Sequence, residues 1–393
     1  GVDTVSQFVP TSTTTWNTDR EGRETTCDMG GPMDRDIIKR FRDKVNEHDL
    51  VLQMYRNYKG KNCWNIICSA MDWINVVVEA IDTKNLSNKN DNNSSIKVMT
   101  FIICIDAMWE AVQQLHRVFF DTRAIPFTGN AEIFQHKLFE TSDNAYFQTI
   151  RACFAAHQIN LYDYFTGGKQ KERRYASWSG GGFGNGDFSV ILYSNRPDED
   201  ALFLDIYFDE LIRFAEQRYR YLNTIAEEIE RQVNQYLDSW KNKKIERTDS
   251  IVHQIEILID EARQRFNNDY YNFELEQLKM IFSTPVSSKK NLKVVDRYRE
   301  ALKYEVEELF TVLQEMRLET LESTKKIDTS APTRCQYAFS KLSDVVFSDG
   351  PLQLVNVNAF KADLGDIIDS ADIGSAKELY VILKAGFFEL HGK

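Results

Sequence analysis

Arg151 and His157, six positions apart, stand in the otherwise apolar run Thr149-Ile150-Arg151-Ala152-Cys153-Phe154-Ala155-Ala156-His157, and their types and spacing suit chemistry. An arginine keeps its charge at any cellular pH and forks its donors onto phosphate oxygens, while a histidine gains or loses a proton near neutrality. Together they suit phosphodiester cleavage without a metal. On an ideal helix, turning about 100° per residue, the two lie about 120° apart in azimuth and about 9 Å apart along the axis. One helix does not aim both at one phosphate. Two such helices about a two-fold axis would, each giving its Arg and His to a shared cleft. The chemistry therefore predicts a homodimer or a pseudo-dimer.

Other polar groups are candidates for support. Asp106 and Glu110 lie one helical turn apart in a row with Gln113 and Arg117. Such a row either holds an arginine from a neighbouring helix or faces water, and the second is the ordinary case for a bundle. Lys169, Lys171, Arg173 and Arg174 follow the motif closely and suit a sequence-tolerant grip on a phosphate backbone, or simply a solvated loop. His48 falls on an apolar stripe and reads as a core residue. His116, His136, His253 and His391 have no Cys, Asp or Glu at ligand spacing, and there is no H-E-x-x-H. No metal or other cofactor is expected. Ser and Cys nucleophiles lack an elbow or a partner signature, and the glycines at 180, 181, 182, 184 and 186 lack the lysine and following helix of a phosphate loop.

The elements that must position these groups are mainly helical. Ile37, Phe41, Val45, His48, Leu52, Tyr55 and Tyr58 draw one stripe, and Cys63, Ile67, Ala70, Ile74, Val77 and Ile81 a second. The tract 85–95 reads as a solvated loop. A third helix over about 96–120 is expected to bury Phe101, Ile105, Met108, Val112, Leu115 and Phe119. A short helix is predicted near 131–140. Ser142 and Asp143 then offer an N-cap to the helix carrying Arg151. Segments 175–178 and 188–193 flank glycines and read as a β-hairpin. Long charged helices follow, with stripes at Leu222 to Trp240, Ile251 to Phe266 and Leu302 to Met316, as antiparallel hairpins or a partner-binding arm would show. Segments 352–357 and 376–383 read as mixed.

A chain of 393 residues with 42% apolar content suits two cores rather than one. The expected divisions are an N-terminal arm over 1–32, a helical bundle with a hairpin over 33–197, an elongated helical region over 198–330, and a small mixed region over 331–393. A net charge of -11 argues against a protein that wraps long duplex nucleic acid, so any such contact is local. Six cysteines without C-x-x-C spacing point to a reducing compartment. The most apolar run, 98–109, is interrupted by Asp106 and too short to span a bilayer, and no signal peptide opens the chain. A cytoplasmic protein without membrane contact is expected.

Arg151, five residues and His157, late in a helical bundle, resemble the HEPN (higher eukaryotes and prokaryotes nucleotide-binding) superfamily over residues 34–195. Its members often place a polar residue, commonly Asn, after the arginine; here that position is Ala152. The resemblance implies a dimeric, metal-independent endoribonuclease of toxin or antiviral-defence (abortive infection) type. On it, His157 would be the general acid or base for attack by a ribose 2′-hydroxyl, and Arg151 would stabilise charge on the phosphoryl oxygens. RNA is the expected substrate, and an antitoxin or other regulatory protein the further partner class. The rival reading is an inactive helical scaffold or partner-binding protein.

Overall fold

The computed structural model describes residues 33–89, 91–156, 173–178, 184–266, 271–317, 327, 329–348, 356–369 and 373–391. They are mainly helical, with a small antiparallel sheet. The described residues form two compact units, one within 33–39 and 69–222, the other within 40–68 and 223–391. Residues 202–222 belong with the first unit, residues 40–68 with the second, and 331–393 share the second unit with 223–330. Leu50 shows why, since it is buried in the same core as Ile255, Leu302 and Leu379.

In the first unit, α4 (Asn92–Phe119) is the central helix. The Asp91 side chain caps it by accepting from Ser94 N at 2.8 Å. All six residues of the expected stripe, from Phe101 to Phe119, are buried. α5 (Asp143–Arg151) starts from the Ser142 cap, whose hydroxyl accepts from Ala145 N, and Phe147 on it stacks on Phe214 at 4.4 Å. Three strands, β1 (Arg174–Ser177), β2 (Phe188–Ser194) and β3 (Leu202–Ile206), form one sheet in that order, paired at Ala176 with Leu192 and at Val190 with Leu204. Phe188, Val190, Leu192, Leu204 and Ile206 are buried, whereas Tyr193 and Phe203 are exposed, the alternation of a sheet with one covered face. The expected hairpin is therefore a three-stranded meander. Its third strand, Leu202–Ile206, comes from the region that reads as helical by sequence.

Segment 131–140 is not the short helix predicted for it. The fully buried Asp143 carboxylate takes its backbone instead, accepting from Glu132 N at 2.9 Å, Ile133 N at 3.1 Å and Phe134 N at 3.3 Å. Lys137 Nζ lies 3.2 Å from the same carboxylate and donates to the carbonyls of Ala131 and Thr141. A carboxylate holding several amides outcompetes the weak helical preference of so short a stretch. The next residue, Asn144, accepts from the buried Arg218, whose guanidinium lies 3.7 Å from the Phe214 ring centroid.

The stripe expected to run unbroken from Ile37, in the first unit, to Tyr58, in the second, is interrupted. α1 (Arg35–Asn46) ends before His48 and Asp49, which both take left-handed conformations (φ 55° and 56°), and α2 (Leu50–Tyr55) starts afresh. His48 is exposed rather than a core residue. The core of the second unit is built by the second half of α6 (Phe208–Asn242), by α7 (Ile251–Arg265), α8 (Asn272–Ser283), α9 (Lys289–Gln314) and α10 (Gln336–Phe347), by the short α11 (Lys361–Leu364), and by α12 (Ala376–His391). α3 (Cys63–Val77) straddles the boundary in sequence between the units. Segment 376–383, mixed by sequence, is the deeply buried start of α12, while 352–355 lies outside the described residues.

Arg265 is fully buried and donates to the carbonyls of Trp240 at 2.8 Å, Lys243 at 2.8 Å and Leu313 at 3.2 Å, with Glu261 Oε2 2.7 Å from its Nε. Those carbonyls lie at the C-terminal ends of α6 and α9, where four carbonyls per helix have no partner inside the helix. One guanidinium thus caps two helices.

Candidate active site

Arg151 is the last residue of α5, and its Nε lies 2.7 Å from Asp106 Oδ2 on α4. Of the two fates open to the Asp106 row, the carboxylate holds an arginine from a neighbouring helix. The Arg151 side chain stays 47% exposed while that of Asp106 is 21% exposed, so the carboxylate is the recessed anchor and the cation the reaching group. Burial pushes the Asp106 carboxyl above the usual aspartate range, Arg151 pulls it back, and Glu110 raises it again. Glu110, one turn further on, is exposed.

Beyond Arg151 the helix loosens into a π turn over Ala152–Ala156, with Cys153 and Phe154 buried and Phe154 edge-on to Trp178 at 5.5 Å. Burial pushes the Cys153 thiol up to about 12. The π turn replaces the regular α-helical step assumed between positions 151 and 157. Single π turns recur where a helix must re-aim functional residues.

His157, Lys169 and Lys171 lie outside the described residues. Arg173 is exposed, and its N–H donates to Asn195 Oδ1 at 2.9 Å. Arg174 is buried in β1 and donates through Nη1 to the carbonyls of Asp200 at 2.9 Å and Leu192 at 3.4 Å. Its guanidinium is a strut of the sheet, whereas Arg173 is exposed.

Sequence reasoning passed over a second arrangement in the first unit. His136 Nδ1 lies 2.8 Å from Glu210 Oε1, the His136 ring stacks on Tyr207 at 4.1 Å, and Glu210 also accepts from Gln135 N at 2.9 Å. The carboxylate is buried and the imidazole more than half exposed, an orientation that fixes one ring nitrogen and leaves the other to solvent. The partners are 74 positions apart, and no local spacing announces them. Among the described residues, no three His, Cys, Asp or Glu side chains are grouped so as to hold a metal ion, and no helix is long and apolar enough to cross a membrane.

Comparison with protein-family models, with curated proteins and with solved structures finds no match to this chain.

Proposed function

We propose that the protein is a metal-independent endoribonuclease of toxin or antiviral-defence type, acting in the cytoplasm as a homodimer. One observation carries this reading: the pairing of Arg151 with a recessed Asp106, which orients a half-exposed guanidinium at the end of α5. A carboxylate that aims an arginine by its Nε leaves the two Nη groups to meet a phosphate. His157 takes the proton of a ribose 2′-hydroxyl, whose oxygen bonds to the adjacent phosphorus. The bond from phosphorus to the 5′-oxygen breaks, and that oxygen takes a proton from a His157 imidazolium of the dimer. The products are a 2′,3′-cyclic phosphate and a 5′-hydroxyl. Arg151 stabilises the charge gathering on the phosphoryl oxygens. DNA lacks the attacking hydroxyl and is not a substrate. An antitoxin or other regulatory protein restrains the activity in the cell.

The rival, an inactive scaffold or partner-binding protein, is favoured by the same ion pair taken as a clasp between two helices. Expression of the wild type, Arg151→Ala and His157→Ala in a bacterial host separates the two. The nuclease reading expects growth arrest and fragmented RNA with the wild type alone, and purified protein that cleaves RNA in the presence of a chelator. Equal growth and intact RNA in all three leave the scaffold.

A further inference from the structure

Met54, Tyr55 and Tyr58 at the end of α2, with Arg231, Gln235 and Tyr236 on α6, line an open groove of about 390 Å³ within the second unit. Its floor is rigid. Tyr55 is buried and its hydroxyl donates to Gln232, whose Nε2 donates to Glu228 Oε1 at 2.7 Å; Arg231 Nε donates to Glu228 Oε2 at 2.7 Å. Tyr236 is anchored by its hydroxyl on the carbonyl of Arg265 at 2.7 Å. With these groups engaged, the exposed Gln235 presents an amide that both donates and accepts.

One rim of the groove is a tight turn. Tyr58 and Lys61 exchange backbone hydrogen bonds of 2.8 and 3.0 Å, and both residues between them have positive φ, Lys59 at 51° and Gly60 at 76°. This is the signature of a primed two-residue turn, whose backbone has little freedom. It holds the Tyr58 ring 5.1 Å from that of Tyr55, with Lys59 Nζ 5.4 Å from the Tyr58 centroid. Arg56, Lys59 and Lys61 are exposed along this rim, and no acidic residue interrupts positions 56–61. On a chain of net charge -11, so compact a positive edge beside aromatic rings is a local device.

Rings offer stacking to any nucleobase, an amide reads a base edge, and flanking cations meet phosphates. Bases inside a duplex are not available to such a groove. We propose that the groove binds single-stranded RNA, one unstacked base lying against Tyr58 and Gln235 and the neighbouring phosphates on Arg56, Lys59 and Lys61. It rests on the nuclease reading only for the choice of RNA over DNA, and it names the substrate as single-stranded.

The test uses the full chain carrying Arg151→Ala, so that RNA survives, and fluorescence anisotropy with a labelled single-stranded RNA of mixed sequence, the DNA of the same sequence, and the RNA duplex. The single-stranded RNA is expected to bind at least about 10-fold more tightly than the duplex. Tyr58→Ala should weaken binding about 10-fold, equivalent to about 1.4 kcal/mol, while Tyr58→Phe stays within about 2-fold. Lys59→Glu with Lys61→Glu should weaken binding and lower the slope of log affinity against log salt by about two. Circular dichroism checks the fold of each variant; should Tyr58→Ala not fold, Gln235→Ala and Lys61→Glu, both at exposed positions, decide. Unchanged affinity in the folded variants overturns the proposal, as does a duplex bound as tightly as the single strand. Equal binding of the DNA overturns the assignment to RNA. The two readings fail separately, because wild-type protein that leaves RNA intact defeats the nuclease whatever the groove binds.

Discussion

Arg151 Nε donates to Asp106 Oδ2 at 2.7 Å, tying the last residue of α5 to the middle of α4. The two partners are unequal in their surroundings. Losing the exposed cation strands the recessed anion, whereas losing the anion leaves the cation in contact with water.

A thermodynamic cycle at this pair should therefore be asymmetric. Arg151→Ala is expected to destabilise the protein by about 1 kcal/mol, the lower end for an abandoned recessed polar group. Adding Asp106→Asn should recover most of that loss, since a neutral amide does not need the cation. Urea unfolding of the two single variants and the double variant measures it. Additive losses would show that the pair carries no coupling.

Arg265 should be among the most costly single positions in the second unit. Arg265→Met keeps the bulk and removes the donors from three helix-end carbonyls and from Glu261. A loss of about 3 kcal/mol is expected. Arg265→Lys should recover little of it, because one ammonium does not span the fork. Urea unfolding followed by far-UV circular dichroism measures the loss.

His116 sets a pH dependence in the first unit. It is buried, accepts or donates at 3.0 Å with the Tyr221 hydroxyl, and packs on Phe120 at 4.8 Å. Burial, and then the neighbouring Arg117, push its pKa below the ordinary 6.5. The unfolded chain then binds the proton more readily than the folded one. The contribution of His116 to stability is complete above about pH 6.5 and is lost as pH falls toward the lower folded value. Thermal melting from pH 7.5 to 5 should show a decline that His116→Gln flattens. An equal slope in that variant would assign the decline elsewhere.

How far the sequence discloses this molecule depends on the range of the interaction that decides each element. The stripe of α4 and the Ser142 cap of α5 are written in neighbours three or four apart, and both are as expected. The stripe through His48 obeys the same periodicity, yet two successive left-handed residues break it, and periodicity does not register φ. The region near 131–140 reads as a helix because the group that organises it, Asp143, lies beyond its end and looks like an ordinary first-turn acid. β3 lacks the flanking glycines that mark β1 and β2, so its sequence reads with the helical region. The Asp106 row was recognised as able to hold an arginine, but only the packing of α5 on α4 selects Arg151. The pairing of His136 with Glu210 and the groove beside Tyr58 each join distant stretches of chain. Composition within either stretch is unremarkable.

The clasp that Asp143 and Lys137 make around 131–141 has a practical side for anyone labelling or splitting this chain. Each amide it gathers sits at a fixed count of residues from the carboxylate, so one added or deleted residue there would pull the start of α5 out of place. Ahead of α4 the hydrogen bonds join near neighbours, Leu86 N to the Thr83 carbonyl and Lys89 N to Ser87 Oγ. A reporter peptide or a new pair of termini belongs between Asn85 and Lys89, where lengthening the chain costs little.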